Sequence, residues 1–222
     1  LTQPPKGKIG RFQIELENYT VMNPDNSLNE STSNLSIRTD YKNSSYLKAT
    51  LGNNVLDLMY PISFTGGTPL PAQRYQYSQF SVSFNTDTRK ELACFGDARI
   101  GNFYNGTIQG VSAGIQWRHQ PNLSIRLKAE LNHIELPGNY GNTKLLLIAP
   151  RIEYNFNTKL FWTSFIQYNT QSNNFNINSR LQYRYKPMSD FFLVYTDNYY
   201  TDPLFKNKNR ALIFKFSYWF NI

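Results

Sequence analysis

The sequence predicts an all-β fold of about twelve antiparallel strands, and three observations predict it. Apolar and polar residues alternate over much of the chain, as in ALIFKFSYWFNI at 211–222. Aromatic residues make up 16% of the 222 residues although the mean hydropathy is -0.52. Turn-forming segments rich in Gly, Pro and Asn separate the alternating stretches. Because successive side chains of a strand point to opposite faces, each strand is expected to have one apolar and one polar face.

The first six strands are each predicted from such a stretch. Phe12, Ile14 and Leu16 share one face of the first strand, and in the third strand Gly52, followed by two asparagines, interrupts the alternation and predicts a bulge. The predicted ranges are 8–19, 32–42, 45–62, 74–85, 89–99 and 107–118.

The last six strands have the clearest alternation. In NLSIRLKAEL at 122–131 every second residue is apolar, and FNINSRLQYRY at 175–185 and the chain end follow the same pattern. The predicted ranges are 122–135, 143–156, 159–169, 174–186, 190–200 and 209–222.

The lengths of these strands favour a membrane protein. Several reach the roughly 9–11 residues that a tilted strand needs to cross a bilayer. The longest clean apolar run, LLLIA at 145–149, is far shorter than the roughly 18 residues of a membrane helix. Backbone groups in hydrocarbon must all be paired, so such a sheet has to close on itself. The predicted fold class is therefore an antiparallel transmembrane β-barrel, formed by these strands alone or as part of a larger cylinder.

The alternation assigns residues to the two faces of that barrel. The residues predicted to face lipid are Leu123, Ile125, Leu127, Phe175, Ile177, Phe214, Phe216, Tyr218 and Phe220. The polar residues predicted to face the lumen are Arg118, Arg126, Lys128, Glu130, Arg151, Glu153, Arg180 and Arg184. The lumen is basic on balance, which fits either a preference for anions or polar sugars, or an internal ladder of charged hydrogen bonds that braces the barrel; the bracing role is favoured.

The connections are expected to alternate between short turns and long loops. The long ones are TVMNPDNSLNES, TGGTPLPAQ, IGNFYNG, LPGNYGNT and DNYYTDPLFKNKN. Outer-membrane barrels have tight periplasmic turns and long external loops. An even number of strands then places both termini in the periplasm and the long loops outside the cell.

Several longer stretches carry a resemblance to a known family. They are FYNG (103–106), ELNHIELPGNYGN (130–142), FIQYN (165–169), RLQYRYKPMSDFFLVYTDNYY (180–200) and FSYWF (216–220). Over roughly residues 45 to 222 the chain resembles the C-terminal barrel region of an uncharacterised family of large outer-membrane proteins of Bacteroidota. Members often have a carbohydrate-binding-like module, similar to family nine, before the barrel. The resemblance implies location and topology and carries over no catalytic residue.

Catalytic motifs are weak. GVSAG at 110–114 matches the nucleophile elbow G-x-S-x-G, but that motif requires a turn from strand to helix, whereas Ser112 lies within an alternating strand. An outer-membrane hydrolase using Ser112, Asp197 and Asp202 is kept as one alternative. A glycan-binding or uptake component, with Asp197, Asp202 and the rings of Tyr199 and Tyr200 at the external rim, is the other.

No cofactor or metal is predicted. His119, His133 and the single cysteine, Cys94, lack metal-ligand spacing, and the oxygen-rich stretch from Asp25 to Glu30 lacks the glycine and spacing of a calcium loop. The net charge of +8 comes from scattered Lys and Arg without a nucleic-acid-binding motif, so no nucleic acid is expected.

The predicted function is a non-enzymatic bacterial outer-membrane barrel that acts as an anchor, pore or scaffold in a surface assembly. Its expected partners are outer-membrane lipids and lipopolysaccharide, other outer-membrane proteins or surface lipoproteins, and the barrel assembly machinery through the C-terminal strand. The chain is expected to be one barrel domain, 1–222. Because Leu1 is followed by neither a basic nor an apolar leader region, any signal peptide and upstream domain are expected to be missing from it.

Overall fold

The computed structural model describes residues 7–220 and contains one antiparallel sheet of twelve strands in chain order. The strands are β1 (Ile9–Met22), β2 (Leu28–Tyr41), β3 (Tyr46–Asp57), β4 (Arg74–Asn85), β5 (Leu92–Phe103), β6 (Gly106–His119), β7 (Leu123–Glu135), β8 (Asn142–Asn155), β9 (Leu160–Asn169), β10 (Asn174–Lys186), β11 (Ser189–Thr201) and β12 (Leu204–Phe216). A short 3₁₀ turn, Gly138–Tyr140, precedes β8. The all-β, antiparallel prediction is confirmed. Within residues 7–220, no helix has the length and apolar character needed to cross a bilayer.

The predicted division into short turns and long loops is largely wrong. The segments 20–31, 100–106 and 197–209 were expected to be long loops, but the strands continue through most of them. The connections that remain there are residues 23–27, 104–105 and 202–203. Asn, Asp and Ser are typical of turns as single residues, yet in 20–31 and 197–209 several of them pair across a hairpin. Only 58–73, between β3 and β4, is a long connection, and it is longer than predicted.

Two further expectations also fail. The register of β3 with both neighbours is continuous through Gly52, so there is no bulge. A Cβ at Gly52 would lie 2.9 Å from Oδ1 of Asn34, and the Asn34 side chain would have to move to admit it. The last strand ends at Phe216 rather than at the chain end, although Ser217 still pairs with Asp190 through two backbone hydrogen bonds. Asn221 and Ile222, predicted to belong to this strand, lie outside the described residues.

The chain divides into two compact units that share the strands of the sheet. The first unit comprises residues up to Thr88 together with Phe95–Ala113 and Leu131–Lys144. The second comprises Arg89–Cys94, Gly114–Glu130 and the chain from Leu145 onward.

Register separates the sheet of the first unit into an apolar and a polar face. Residues paired across neighbouring strands lie on the same face, so each row of paired residues belongs to one face of the sheet. One row contains Ile14, Ile37, Ala49, Val82 and Ala98, and the adjacent row on the opposite face contains Glu15, Ser36, Thr50, Ser81 and Arg99.

The second unit has the same two-faced arrangement with one exception. One row contains Tyr154, Trp162, Leu181, Leu193 and Phe214, and the row on the opposite face contains Glu153, Thr163, Arg180, Val194 and Ile213. Thus the polar face of β8–β10 is continued by apolar residues on β11 and β12.

Very little apolar surface is buried by the protein itself. Among the described residues the buried hydrophobic side chains are Leu70, Tyr75, Ala93, Ile108, Ile134 and Leu136. The accessible surface is 14655 Å² for a mass of 25.9 kDa, whereas a folded water-soluble monomer of that mass exposes about 10,500 Å². Both faces of the sheet are therefore largely uncovered by other parts of the chain.

The main exception is the β3–β4 cap, by which we mean residues 58–73. Leu70 of the cap is fully buried, and Ile62 pairs with Leu70 in an isolated bridge. The ring of Phe64 lies 5.2 Å from Phe103 and 5.1 Å from Tyr104. The hydroxyl of Thr65 donates to the carbonyl of Tyr140, and Thr68 N donates to the carbonyl of Asn139 at 3.3 Å. These contacts fix the cap against the ends of neighbouring strands.

Candidate functional site

The candidate site is a polar cavity in the second unit. It has a volume of about 610 Å³, within the range typical of ligand pockets. It is lined by Gln116, Arg118, Gln120, Pro121, Leu123, Ser124, Glu153, Asn155, Phe161, Thr163, Arg180, Gln182 and Arg184. Four of the eight residues predicted to face a lumen, Arg118, Glu153, Arg180 and Arg184, are thus brought together at one cavity.

Strand pairing explains why these side chains meet. Glu153 pairs with Thr163, Thr163 with Arg180, and Arg180 with Val194 across four consecutive strands. Two residues further along β10, Gln182 pairs with Phe161. The alternation of each strand therefore places these groups on one face, and the register places them side by side.

The other four predicted lumen residues lie in the second unit but do not line the cavity. Lys128 Nζ lies 2.9 Å from Oε2 of Glu130, and Arg151 lies 2.5 Å from Oε1 of Glu153. Both ion pairs join residues two apart on the same strand, and therefore on the same face. Arg126 is likewise engaged in an interaction. Each of these two pairs lies within one strand and does not connect neighbouring strands, so the bracing hypothesis stays a prediction.

The arginines of the cavity differ in how they are engaged. Arg184 donates from Nε to Oδ1 of Asp190 at 3.2 Å, and its guanidinium carbon lies 5.7 Å from the centre of the Phe161 ring. One terminal amine of Arg118 donates to the backbone carbonyl of Lys90 at 3.3 Å. The side chain of Arg180 is exposed and makes neither a hydrogen bond nor an ion pair with any residue in the part of the chain that the structure describes.

The residues predicted to face lipid are distributed less uniformly. Phe214, Phe216 and Phe220 are 64%, 68% and 77% exposed. Tyr218 and Phe220 lie beyond the end of β12, with their ring centres 4.5 Å apart. Leu127 is exposed, whereas Ile125, Phe175 and Ile177 are half-buried. Leu123, at the first position of β7, lines the polar cavity.

Two residues of the hydrolase alternative, Ser112 and Asp197, are each hydrogen-bonded to a different set of side chains. Ser112 is buried and donates its hydroxyl to Asp97. Asp197 is fully buried, and its carboxylate accepts hydrogen bonds from Tyr195 and Tyr199 at 2.6 Å each, from Asn207 at 2.8 Å and from Arg210 at 2.7 Å. Three of these bonds are accepted by Oδ2 and one by Oδ1, so the buried carboxylate is committed to donors of its own protein. Asp202 lies exposed in the turn between β11 and β12.

The Asp197 network was not predicted from the sequence. Its signal is a break in alternation: Asp197 pairs with Arg210 and with Ile177, so both charged residues lie on the otherwise apolar face. For the glycan alternative, the hydroxyl of Tyr199 is bound to Asp197, and Lys208 Nζ lies 4.5 Å from the centre of the Tyr200 ring. Neither tyrosine therefore offers a glycan both a free ring face for stacking and a free hydroxyl for hydrogen bonding.

Among residues 7–220 no group of three or more His, Cys, Asp or Glu residues is placed to hold a metal ion. In the connection 23–27, Asp25 Oδ1 accepts hydrogen bonds from the hydroxyl of Ser27 at 2.6 Å and from its backbone amide at 2.9 Å. These two bonds hold the pKa of Asp25 below its usual value. The carboxylate is thereby committed to shaping the turn.

Comparisons with protein-family models, with curated proteins and with solved structures found no match in any of the three. The resemblance to a Bacteroidota outer-membrane family therefore stays a prediction, and the function has to be argued from the sheet and the cavity.

Proposed function

We propose that this chain is a bacterial outer-membrane β-barrel that serves as an anchor, pore or scaffold in a surface assembly and has no catalysis of its own. The observation that carries the proposal is the exposed apolar face of a sheet whose own protein buries almost none of it. Large apolar side chains more than a third exposed occur on strands of both units, including Ile14, Leu51, Phe80, Ile115 and Phe214.

Free energy favours lipid over water on this face. Each Leu, Ile or Phe side chain gains about 1.5–3 kcal/mol when it is removed from water. Scattered surface hydrophobics need no explanation, but an apolar band over many strands exceeds the patches found on water-soluble monomers. A partner protein would cover one patch, whereas a bilayer covers a band that crosses successive strands. Strands of 10 to 14 residues are long enough to cross the hydrocarbon layer.

The polar face of the sheet gives a second argument for the same proposal. Charged pairs such as Glu15 with Lys48 and Arg151 with Glu153 lie on it, where water or other polar groups can solvate them. In a membrane, backbone pairing requires the sheet to close, so the proposal includes pairing of the first strand with the last. Both termini then lie on the periplasmic side, and the β3–β4 cap lies on the external side.

Refolding of the denatured chain tests this proposal. We expect it to fold in detergent micelles and phospholipid vesicles, to float with the vesicles after an alkaline wash, and to migrate faster on gel electrophoresis unheated than boiled. Closed membrane barrels resist detergent until heated, which causes that shift. A chain that refolds in buffer without detergent to a monodisperse particle, and gives one band position with and without heating, would contradict the proposal.

A further inference from the structure

We propose that the cavity in the second unit binds a small hydroxylated organic anion, such as an acidic monosaccharide, and that Arg180 is its principal anion contact. This goes beyond the proposed function, because it concerns what the polar face binds and not what covers the apolar face.

The charge balance of the cavity favours an anion. Three guanidinium groups line it, from Arg118, Arg180 and Arg184, against the single carboxylate of Glu153. That carboxylate is already neutralised by Arg151, 2.5 Å away. The cavity therefore presents an excess of positive charge, and a hydrogen bond from a guanidinium to an anion is stronger than one between neutral groups.

The bracing role does not explain Arg180. In a charge ladder each cation faces an anion, as it does on the polar face of the first unit, where Arg11 and Arg38 share Asp40 and Lys48 lies 3.7 Å from Glu15. Arg180 has no such partner among the described residues. A guanidinium offers five N–H donors in a planar fork that matches a carboxylate, and here all five are available.

The neighbouring arginines add donors to the same cavity. Arg184 uses Nε for Asp190, so its terminal amines remain available. Arg118 uses one terminal amine for the carbonyl of Lys90. Because both are held in place, they lose little side-chain freedom when a ligand binds.

The uncharged lining indicates the kind of anion. Gln116, Gln120, Ser124 and Thr163 provide hydrogen-bonding groups, and the Phe161 ring provides an apolar surface. Hydroxyl groups on a ring-shaped ligand match amide and hydroxyl side chains, and the C–H face of a sugar ring packs on an aromatic ring. A bare inorganic anion would leave most of these groups unused.

Calorimetric titration of the chain, refolded in zwitterionic micelles, with galacturonate at low salt tests the proposal, with neutral galactose as the matched ligand. We expect galacturonate to bind and galactose to bind at least tenfold more weakly. R180Q should weaken galacturonate binding at least tenfold, and R180Q combined with R184Q should abolish it. R11Q removes the same charge from an arginine paired with Asp40 in the first unit and should leave binding unchanged.

Galacturonate binding that is absent in the wild type, equal to galactose binding, or unchanged by R180Q would overturn the proposal. The heat-dependent gel shift, measured on the same samples, verifies that each variant is folded. It also separates the two proposals, because a sample can keep the shift while failing to bind galacturonate.

Discussion

Two apolar regions of this chain differ in what covers them. In the β3–β4 cap Leu70 is 0% exposed, and Tyr75 beside it is 4% exposed. On β12 the apolar residues are left open, with Leu212 at 56% and Phe214 at 64%. Burial also raises the pKa of Tyr104, which lies in the turn beneath the cap. Among the described residues, the protein thus builds a small water-excluding core at one place and leaves the larger apolar surface uncovered.

The difference teaches that aromatic content alone does not identify an uncovered apolar face. The cap is held by a cluster of rings, Phe64, Tyr75, Tyr77, Phe103 and Tyr104, with ring centres 4.8 to 6.0 Å apart. Tyr75, Tyr77 and Phe103 lie on the polar face of the sheet, as the pairing of Tyr77 with Asn54 and of Asn54 with Thr32 indicates. The exposed fraction of the rings, rather than their residue type, distinguishes the covered cluster under the cap from the open face of β12.

Leu70→Ala breaks the covered region and has the largest expected effect. Replacing a fully buried Leu by Ala costs about 2–5 kcal/mol, and we expect the loss to fall on the cap rather than on the sheet. Amide hydrogen exchange of residues 58–73 should become much faster, with strand amides little affected. Met59→Ala is the control, because Met59 is 62% exposed in the same segment. Equal exchange rates in the two variants would mean that burial of Leu70 does not hold the cap.

Phe214→Lys tests the open region. If lipid covers this face, a lysine near the middle of the membrane costs about 2–4 kcal/mol, measurable as a lower urea midpoint for unfolding from vesicles. Ile213→Lys is the matched control, since Ile213 is adjacent, is 52% exposed and lies on the opposite face with Val194 and Arg180. We expect the control to lose much less stability. Similar losses in both variants would show that the two faces have the same surroundings.

The sequence predicts the strands and their faces well because both depend on a period of two, which is a local property. It could not predict the hairpin of β11 and β12, since residues 197–209 are rich in turn-forming Asn, Asp and Pro. Most of them become strand through cross-strand pairs such as Asn198 with Asn209. The availability of Arg180 is also hidden, because its neighbours are set by the register of β9 and β11. The pairing of strands therefore determines the hairpin and the side-chain partners, which the local sequence pattern does not specify.

Asp197→Asn tests the charged pair that lies on the apolar face, Asp197 with Arg210. The amide removes the negative charge opposite Arg210 and replaces one acceptor oxygen with a donor, so one of the four hydrogen bonds is lost. We expect a loss of about 1–3 kcal/mol in unfolding free energy, read from the same urea titration. Asp202→Asn, in the exposed turn, should change it little. If both variants unfold at the wild-type midpoint, the Asp197 network does not contribute to stability.

The smallest effect is expected in the connection 23–27, which is held by hydrogen bonds where the cap is held by apolar burial. Ser27→Ala removes the hydroxyl that donates to Asp25, so the pKa of Asp25 should rise toward its ordinary value of 3.8. Because the folded-state pKa is lowered, the stabilisation is fully present above pH 3.8 and is lost as the pH falls through the folded-state pKa. The variant keeps the backbone amide bond, so it should lose part of this acid dependence. Carboxyl chemical shifts followed between pH 2 and pH 6 measure it. An Asp25 titration that Ser27→Ala leaves unchanged would assign the lowered pKa to the backbone amide of Ser27 alone.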